Sequence, residues 1–116
     1  MDKVAMFAFN GEPVCFAHVL LNAFDMKERG YQVVIVMEGA ATGLVRSLHE
    51  DGSLPFAPLY EKAVAGGLIA AVCEACAGKM GSRQSAVDQG LTLASEMNGH
   101  PSIARFEQDG FRVMTF

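Results

Sequence analysis

The chain carries three cysteines, and two of them form a Cys-x-x-Cys pair, Cys73 and Cys76, inside the stretch GLIAAVCEACAGKMG. The apolar run 68–72 predicts a short strand that ends on Cys73, followed by a helix carrying Cys76, Lys79 and Gly81. Backbone N–H groups at a helix start lack partners and the dipole there is positive, so a thiolate is favoured at that place. Glu74 opposes that field, whereas Lys79 and Arg83 support it. The plainer alternative is packing, since free cysteine is among the most buried residue types. An odd cysteine count with a Cys-x-x-Cys pair favours redox, sulfur or metal chemistry over a structural disulfide. In a dithiol reading, Cys73 attacks and Cys76 resolves a persulfide or sulfenate. Against a thioredoxin-type enzyme, no proline lies between the two cysteines. In a metal reading, Cys15 and His18 add a Cys-x-x-His pair, giving four soft ligands for zinc or iron from two pairs more than fifty residues apart.

Other candidates come from position. In open parallel sheets, ligands gather beyond the carboxyl ends of the strands. The residues expected there are Asn10 and Gly11, Glu38 and Gly39, Cys73, and the segment 96–100. His100, in Gly-His-Pro-Ser, is either an acid/base facing the site or a helix-start histidine bonded to backbone. Glu38 is a solvated strand end or a base, and Lys79 supplies positive charge. Asn10, Gly11, Glu38, Lys79 and His100 are thus the expected substrate contacts around Cys73 and Cys76. Gly39 to Gly43 lacks the spacing of a dinucleotide or P-loop motif, and no Ser-His-Asp motif is present.

Strands are expected at 3–9, 31–37, 68–72, 91–96 and 111–116, and helices at 14–29, 44–49, 61–65, 82–89 and 103–108. Alternating strands and helices predict one domain over 1–116, a three-layer α/β/α sandwich with an open, mainly parallel five-stranded sheet. The helix 14–29 is apolar over more than half its girth, with Leu20, Leu21 and Phe24 on one side and Phe16, Val19 and Met26 continuing round it. Burial on two sides is the expectation, the second against another subunit. Only 19% of the 116 residues are charged, which also suits a partner-covered surface. The net charge of −4 and the absence of a basic cluster speak against nucleic acid. No apolar run is long enough for a membrane span. The opening MDKVAMFAF lacks a signal-peptide pattern, so a cytoplasmic setting is expected.

The segment Val72-Cys73-Glu74-Ala75-Cys76-Ala77-Gly78-Lys79-Met80-Gly81 resembles the DsrE/DsrF/TusD family of sulfur-relay proteins. In that family a strand ends on a Cys, small residues follow, and basic residues precede a Gly eight positions after the Cys; Cys73, Lys79 and Gly81 fit that spacing. The likeness to small stand-alone DsrE-like cytoplasmic proteins extends over nearly the whole chain, including Gly99-His100-Pro101-Ser102 to Gly110-Phe111. It implies a parallel α/β domain assembled as a homotrimer or homohexamer. It also implies a sulfurtransferase-like activity in which Cys73 accepts a persulfide from a donor protein and passes it to an acceptor. That chemistry calls for no cofactor and no metal. Met80 stands where a second basic residue is usual, and Cys76 where a small residue is usual, which opens the dithiol alternative. A non-catalytic oligomeric binding module is the third alternative.

Overall fold

The computed structural model describes residues 2–116. Five strands form one sheet in the order β4-β3-β2-β1-β5, and every pairing is parallel. They are β1 (Lys3–Ala8), β2 (Gln32–Met37), β3 (Ile69–Cys73), β4 (Leu93–Ala94) and β5 (Arg112–Thr115). The helices are α1 (Pro13–Glu28), α2 (Thr42–Glu50), α3 (Ala57–Ala65), α4 (Glu74–Lys79), α5 (Arg83–Asp88) and α6 (Ile103–Gln108), with a 3-10 turn at Gly39–Ala41. The central strands are near-continuous apolar runs because both faces are covered. On one face Val4, Met6, Val33, Ile35 and Val72 pack with Phe16 of α1, Val45 of α2, Tyr60 of α3 and Ala86 of α5. On the other, Ala5, Phe7, Val36, Ala71 and Ala94 meet Phe106 of α6. The Phe7 and Phe106 rings meet edge-on at 5.4 Å, and full burial of such a ring contributes roughly 2–3 kcal/mol.

The expected architecture is therefore present, with three local differences. The strand expected at 91–96 shrinks to Leu93–Ala94, because the chain leaves the sheet at Ser95 for a structured loop. The helix expected at 61–65 begins at Ala57, with Pro58 in its first turn where a missing N–H costs nothing. On α1 the residues Phe16, Val19, Leu20 and Ala23 face the core, whereas Leu21 and Val14 are 53% and 55% exposed in the single chain.

Strand order fixes where a site can form. The chain steps outward from β1 through β2 and β3 to β4, with connecting helices packed on the α1 face, then returns through α6 on the opposite face to reach β5. The exits of β3 and β4 thus diverge to opposite faces, and that divergence opens a crevice at their carboxyl ends. The β2–β3 register also shifts: Ile35 pairs with Ile69 but Val36 with Ala71. That irregularity lets Ile69 and Val72 both join the α1 face while Ala71, and by alternation Cys73, turn toward the α6 side.

Candidate functional site

Cys73 is both the last residue of β3 and the N-cap of α4. Its Sγ accepts a hydrogen bond from the Cys76 backbone N–H at 3.4 Å. The thiol is 0% exposed. Cys76, one helical turn on, is half-buried and faces the crevice.

The β4–α6 loop brings a histidine to this pair. Met97 and His100 exchange backbone hydrogen bonds at 2.8 and 2.9 Å across Asn98 and Gly99, whose φ values are 51° and 89°. Two successive positive φ values are what a type I′ turn requires, and Asn-Gly is its preferred pair. The Gly99 carbonyl accepts from the Ala75 N–H at 3.0 Å, docking the turn onto α4. An ion pair of Glu96 with Arg105 ties the start of the loop to α6, and Ser102 caps α6 by accepting from the Arg105 N–H at 3.3 Å. The Arg105 hydrogen bond holds the Glu96 carboxyl below the usual carboxylate range. Held this way, His100 puts Nδ1 3.0 Å from Cys73 Sγ and 3.8 Å from Cys76 Sγ.

The fourth group is Glu38, the residue after β2, whose N–H donates to the Ala8 carbonyl at 2.8 Å. It is 7% exposed and turned inward. Its Oε1 lies 3.8 Å from both Cys76 Sγ and His100 Nδ1. Burial pushes the Cys73 thiol up to about 12, opposed by the Cys76 N–H and reinforced by the Cys76 thiol and the Glu38 carboxyl. One donor atom from each of Glu38, Cys73, Cys76 and His100 lies within 4.8 Å of all the others. A cleft of about 460 Å³ is lined by Phe9, Met97, Pro101 and Ile103 together with Glu38, Cys76 and His100 of the cluster.

The remaining expected residues fall outside this cluster. Asn10 is exposed and its Oδ1 accepts from the Glu12 N–H at 2.8 Å, a local turn bond. Gly11 lies where a Cβ would sit 2.9 Å from the Ala40 carbonyl oxygen, so it serves close backbone packing. Lys79 is exposed and lines a separate cavity of about 260 Å³ with Cys76 and Met80. Cys15 and His18 are exposed on α1 and join no ligand cluster among the described residues, so the metal set that pairs them with Cys73 and Cys76 is corrected. Glu38 and His100 stand beside the two cysteines as expected; what sequence reasoning missed is that the four close into one set of donor atoms, for which the Asn98-Gly99 turn was the available signal at His100.

Fold and site together define an all-parallel α/β domain with a Cys-x-x-Cys, His and Glu cluster at the divergence of β3 and β4. No protein-family model matches the chain. It is 31% identical over 97 residues to the uncharacterized protein MJ0733 of Methanocaldococcus jannaschii, spanning 84% of this chain and 76% of that one, and it belongs to the same family. An uncharacterized protein of Archaeoglobus fulgidus is 35% identical over 52 residues, 45% of this chain and 84% of its own. The structure of BT1422, a conserved protein of unknown function from Bacteroides thetaiotaomicron, matches with a TM-score of 0.70 over 99% of this chain and 95% of that one, at 14% identity. That likeness concerns the fold alone.

Proposed function

We propose that the chain binds a soft divalent metal, zinc foremost, through Cys73, Cys76, His100 and Glu38. The observation that carries this is the mutual approach of the four donor atoms within 4.8 Å. Tetrahedral zinc with bonds of about 2.3 Å to sulfur and about 2.0–2.1 Å to nitrogen or oxygen has ligand–ligand edges of roughly 3.3–3.8 Å. Four of the six edges here are 3.0, 3.8, 3.8 and 3.8 Å and all six lie within 4.8 Å, so the set reaches tetrahedral size once the Cys73–His100 edge opens and the longer edges contract. A buried thiol, a second thiol and a buried carboxylate form a poor set without a cation among them, and a metal deprotonates the thiols and neutralises the charge. The cleft beside the cluster makes this an accessible centre rather than a closed structural one. The test is metal content of the purified protein and zinc titration. Cys73→Ser, Cys76→Ser and His100→Ala should each lower zinc affinity by more than about tenfold, since losing even an outer-shell partner of a ligand costs about 10–100-fold, while Cys15→Ser should not. Absence of zinc, cobalt or iron binding in the wild type would reject the reading.

A second reading is the sulfur carrier that the DsrE-like resemblance implies, with persulfide accepted from a donor protein and passed on. It is favoured by the placing of Cys73 Sγ 3.0 Å from His100, a proton acceptor, and by Cys76 in the cleft lining. A reductant-sensitive mass gain of one sulfur atom per chain, lost in Cys73→Ser and kept in Cys15→Ser, would support it; no gain in metal-free protein would remove it. Either reading suits a reducing, cytoplasmic setting, since free thiols persist there. Assembly as a homotrimer or homohexamer belongs to the same proposal, supported by the exposed apolar Val14 and Leu21 of α1. Light scattering that gives a monomer at micromolar concentration would refute it.

A further inference from the structure

The cleft above the cluster has a composition of its own. Its apolar lining is Phe9, Met97, Pro101, Ile103 and Ala104, and its polar side chains are Glu38, Cys76, His100 and Ser102, the first three of them members of the cluster. Apolar walls with a few convergent polar groups are the usual build of a small-molecule site, and about 460 Å³ lies within the usual size. An apolar cavity of about 150 Å³ already accommodates benzene, so this one has room for a ring and a side arm. Three of its wall residues, Phe9, Met97 and Ile103, are 40%, 57% and 38% exposed although each is large and apolar.

The head group of the occupant follows from charge. Among the described residues no lysine or arginine lines the cleft, and Glu38 already brings a negative charge to its lining. An incoming carboxylate or phosphate would add a full negative charge to a centre that two thiolates and Glu38 already make net negative, with only the metal and His100 to offset it. A ligand that enters neutral and becomes a donor only at the metal avoids that cost. Glu38 is also the hard oxygen donor among softer ones, and thiolate outcompetes carboxylate for a soft metal.

We infer that the cleft receives a small apolar thiol, whose sulfur takes the place of the Glu38 carboxylate on the metal. This rests on the metal-centre reading. In the exchange the metal–oxygen bond to Glu38 breaks and a metal–sulfur bond forms. The thiol proton passes to the freed Glu38 carboxylate, so total charge is conserved and nothing is oxidised or reduced. The centre then has three thiolates and His100, while the apolar body of the ligand lies between Phe9 and Ile103.

The test uses cobalt-loaded protein with phenylmethanethiol, 2-mercaptoethanol and phenylacetate as probes. The expected result is that phenylmethanethiol raises the thiolate-to-cobalt charge-transfer absorption by about half, as two thiolates become three in a tetrahedral centre. It should bind roughly thirtyfold more tightly than 2-mercaptoethanol, the ratio that burying most of an aromatic ring provides. Phenylacetate should leave the spectrum unchanged. Ile103→Asp, at an already exposed wall position, should abolish the preference for the aromatic thiol while keeping the unliganded cobalt spectrum. If the protein gives no cobalt–thiolate spectrum at all, the metal reading fails and this inference falls with it. An unliganded two-thiolate spectrum that phenylmethanethiol does not alter would overturn the inference and leave the metal centre standing. Equal affinity for both thiols, or tighter binding of phenylacetate, would likewise overturn it, because the cleft would then select nothing or select an anion.

Discussion

The Asn98-Gly99 turn is the part of the site whose contribution can be isolated most cleanly. Gly99 has φ 89°, and a Cβ built there would lie 3.1 Å from the Ala75 Cβ on α4. Gly99→Ala therefore incurs about 1–2 kcal/mol for a left-handed L-residue and in addition pushes the turn a few tenths of an ångström away from α4. Gly90 supplies the control: its φ is 75° and nothing lies within 4 Å of its Cβ position. Gly90→Ala incurs the backbone strain alone, at the end of α5 and away from the cluster. Gly90→Ala should lose about 1–2 kcal/mol in denaturant unfolding of the metal-free protein, or roughly 5–10 °C in Tm, and Gly99→Ala at least as much. They should part in zinc affinity. Moving the turn moves His100, and disturbing the support of a metal ligand costs about 10–100-fold. Gly99→Ala should thus weaken zinc about tenfold or more, and Gly90→Ala should leave it unchanged. Competition titration against a chromophoric chelator reads both. Equal zinc affinities for the two variants would refute the claim that the turn positions His100 for the centre.

Two further outcomes concern the frame rather than the cluster. Tyr60 is fully buried, and its hydroxyl donates to Gln89 Oε1 at 2.7 Å while Gln89 Nε2 donates to the Val45 carbonyl at 2.8 Å; Tyr60→Phe should cost about 1–3 kcal/mol by orphaning the amide oxygen, with zinc affinity intact, and a loss below 0.5 kcal/mol in urea would refute that bond's role. The Glu96 carboxyl is held low by Arg105, so its contribution is complete above the unfolded value of about 4.3 and vanishes as pH falls through the folded value; Arg105→Ala should therefore reduce the acid-limb loss of stability, and an unchanged acid limb would count against the pair.

Much of the frame was legible because it is written in local patterns. Residues 31–37 read as a strand from consecutive Val and Ile, and the structure has Gln32–Met37; residues 103–108 read as a helix, and α6 occupies them. The boundary at 91–96 was not legible, since only the tertiary path of the loop decides that Ser95 leaves the sheet. For the site, apolar residues ending on a cysteine located Cys73 beyond a parallel strand. Glu38 and His100 were legible as neighbours of the cysteines, but their closing with both thiols into one donor set was not, for a different reason. It depends on strand order, because only a chain that reverses direction after β4 brings the β4–α6 loop over the end of β3. The inward turn of Glu38 likewise depends on the neighbours of β2, not on its own sequence.

The same geometry weighs the two chemical readings against each other. A sulfur relay works best with a reachable thiolate in a positive field. Here Cys73 is sealed, Lys79 is exposed and lies outside the Glu38, Cys73, Cys76 and His100 cluster, and Arg83 pairs with Glu74 at 3.4 Å rather than with the thiols. The charged side chain that turns inward is Glu38, which destabilises a thiolate. Every one of these features opposes a nucleophile left to itself. A cation held by Cys73, Cys76, His100 and Glu38 would remove the two that matter most: it would favour both thiolates and take the Glu38 carboxylate as a partner, with no need for solvent access to Cys73. The arrangement that disfavours the bare thiol is thus the arrangement a metal would select.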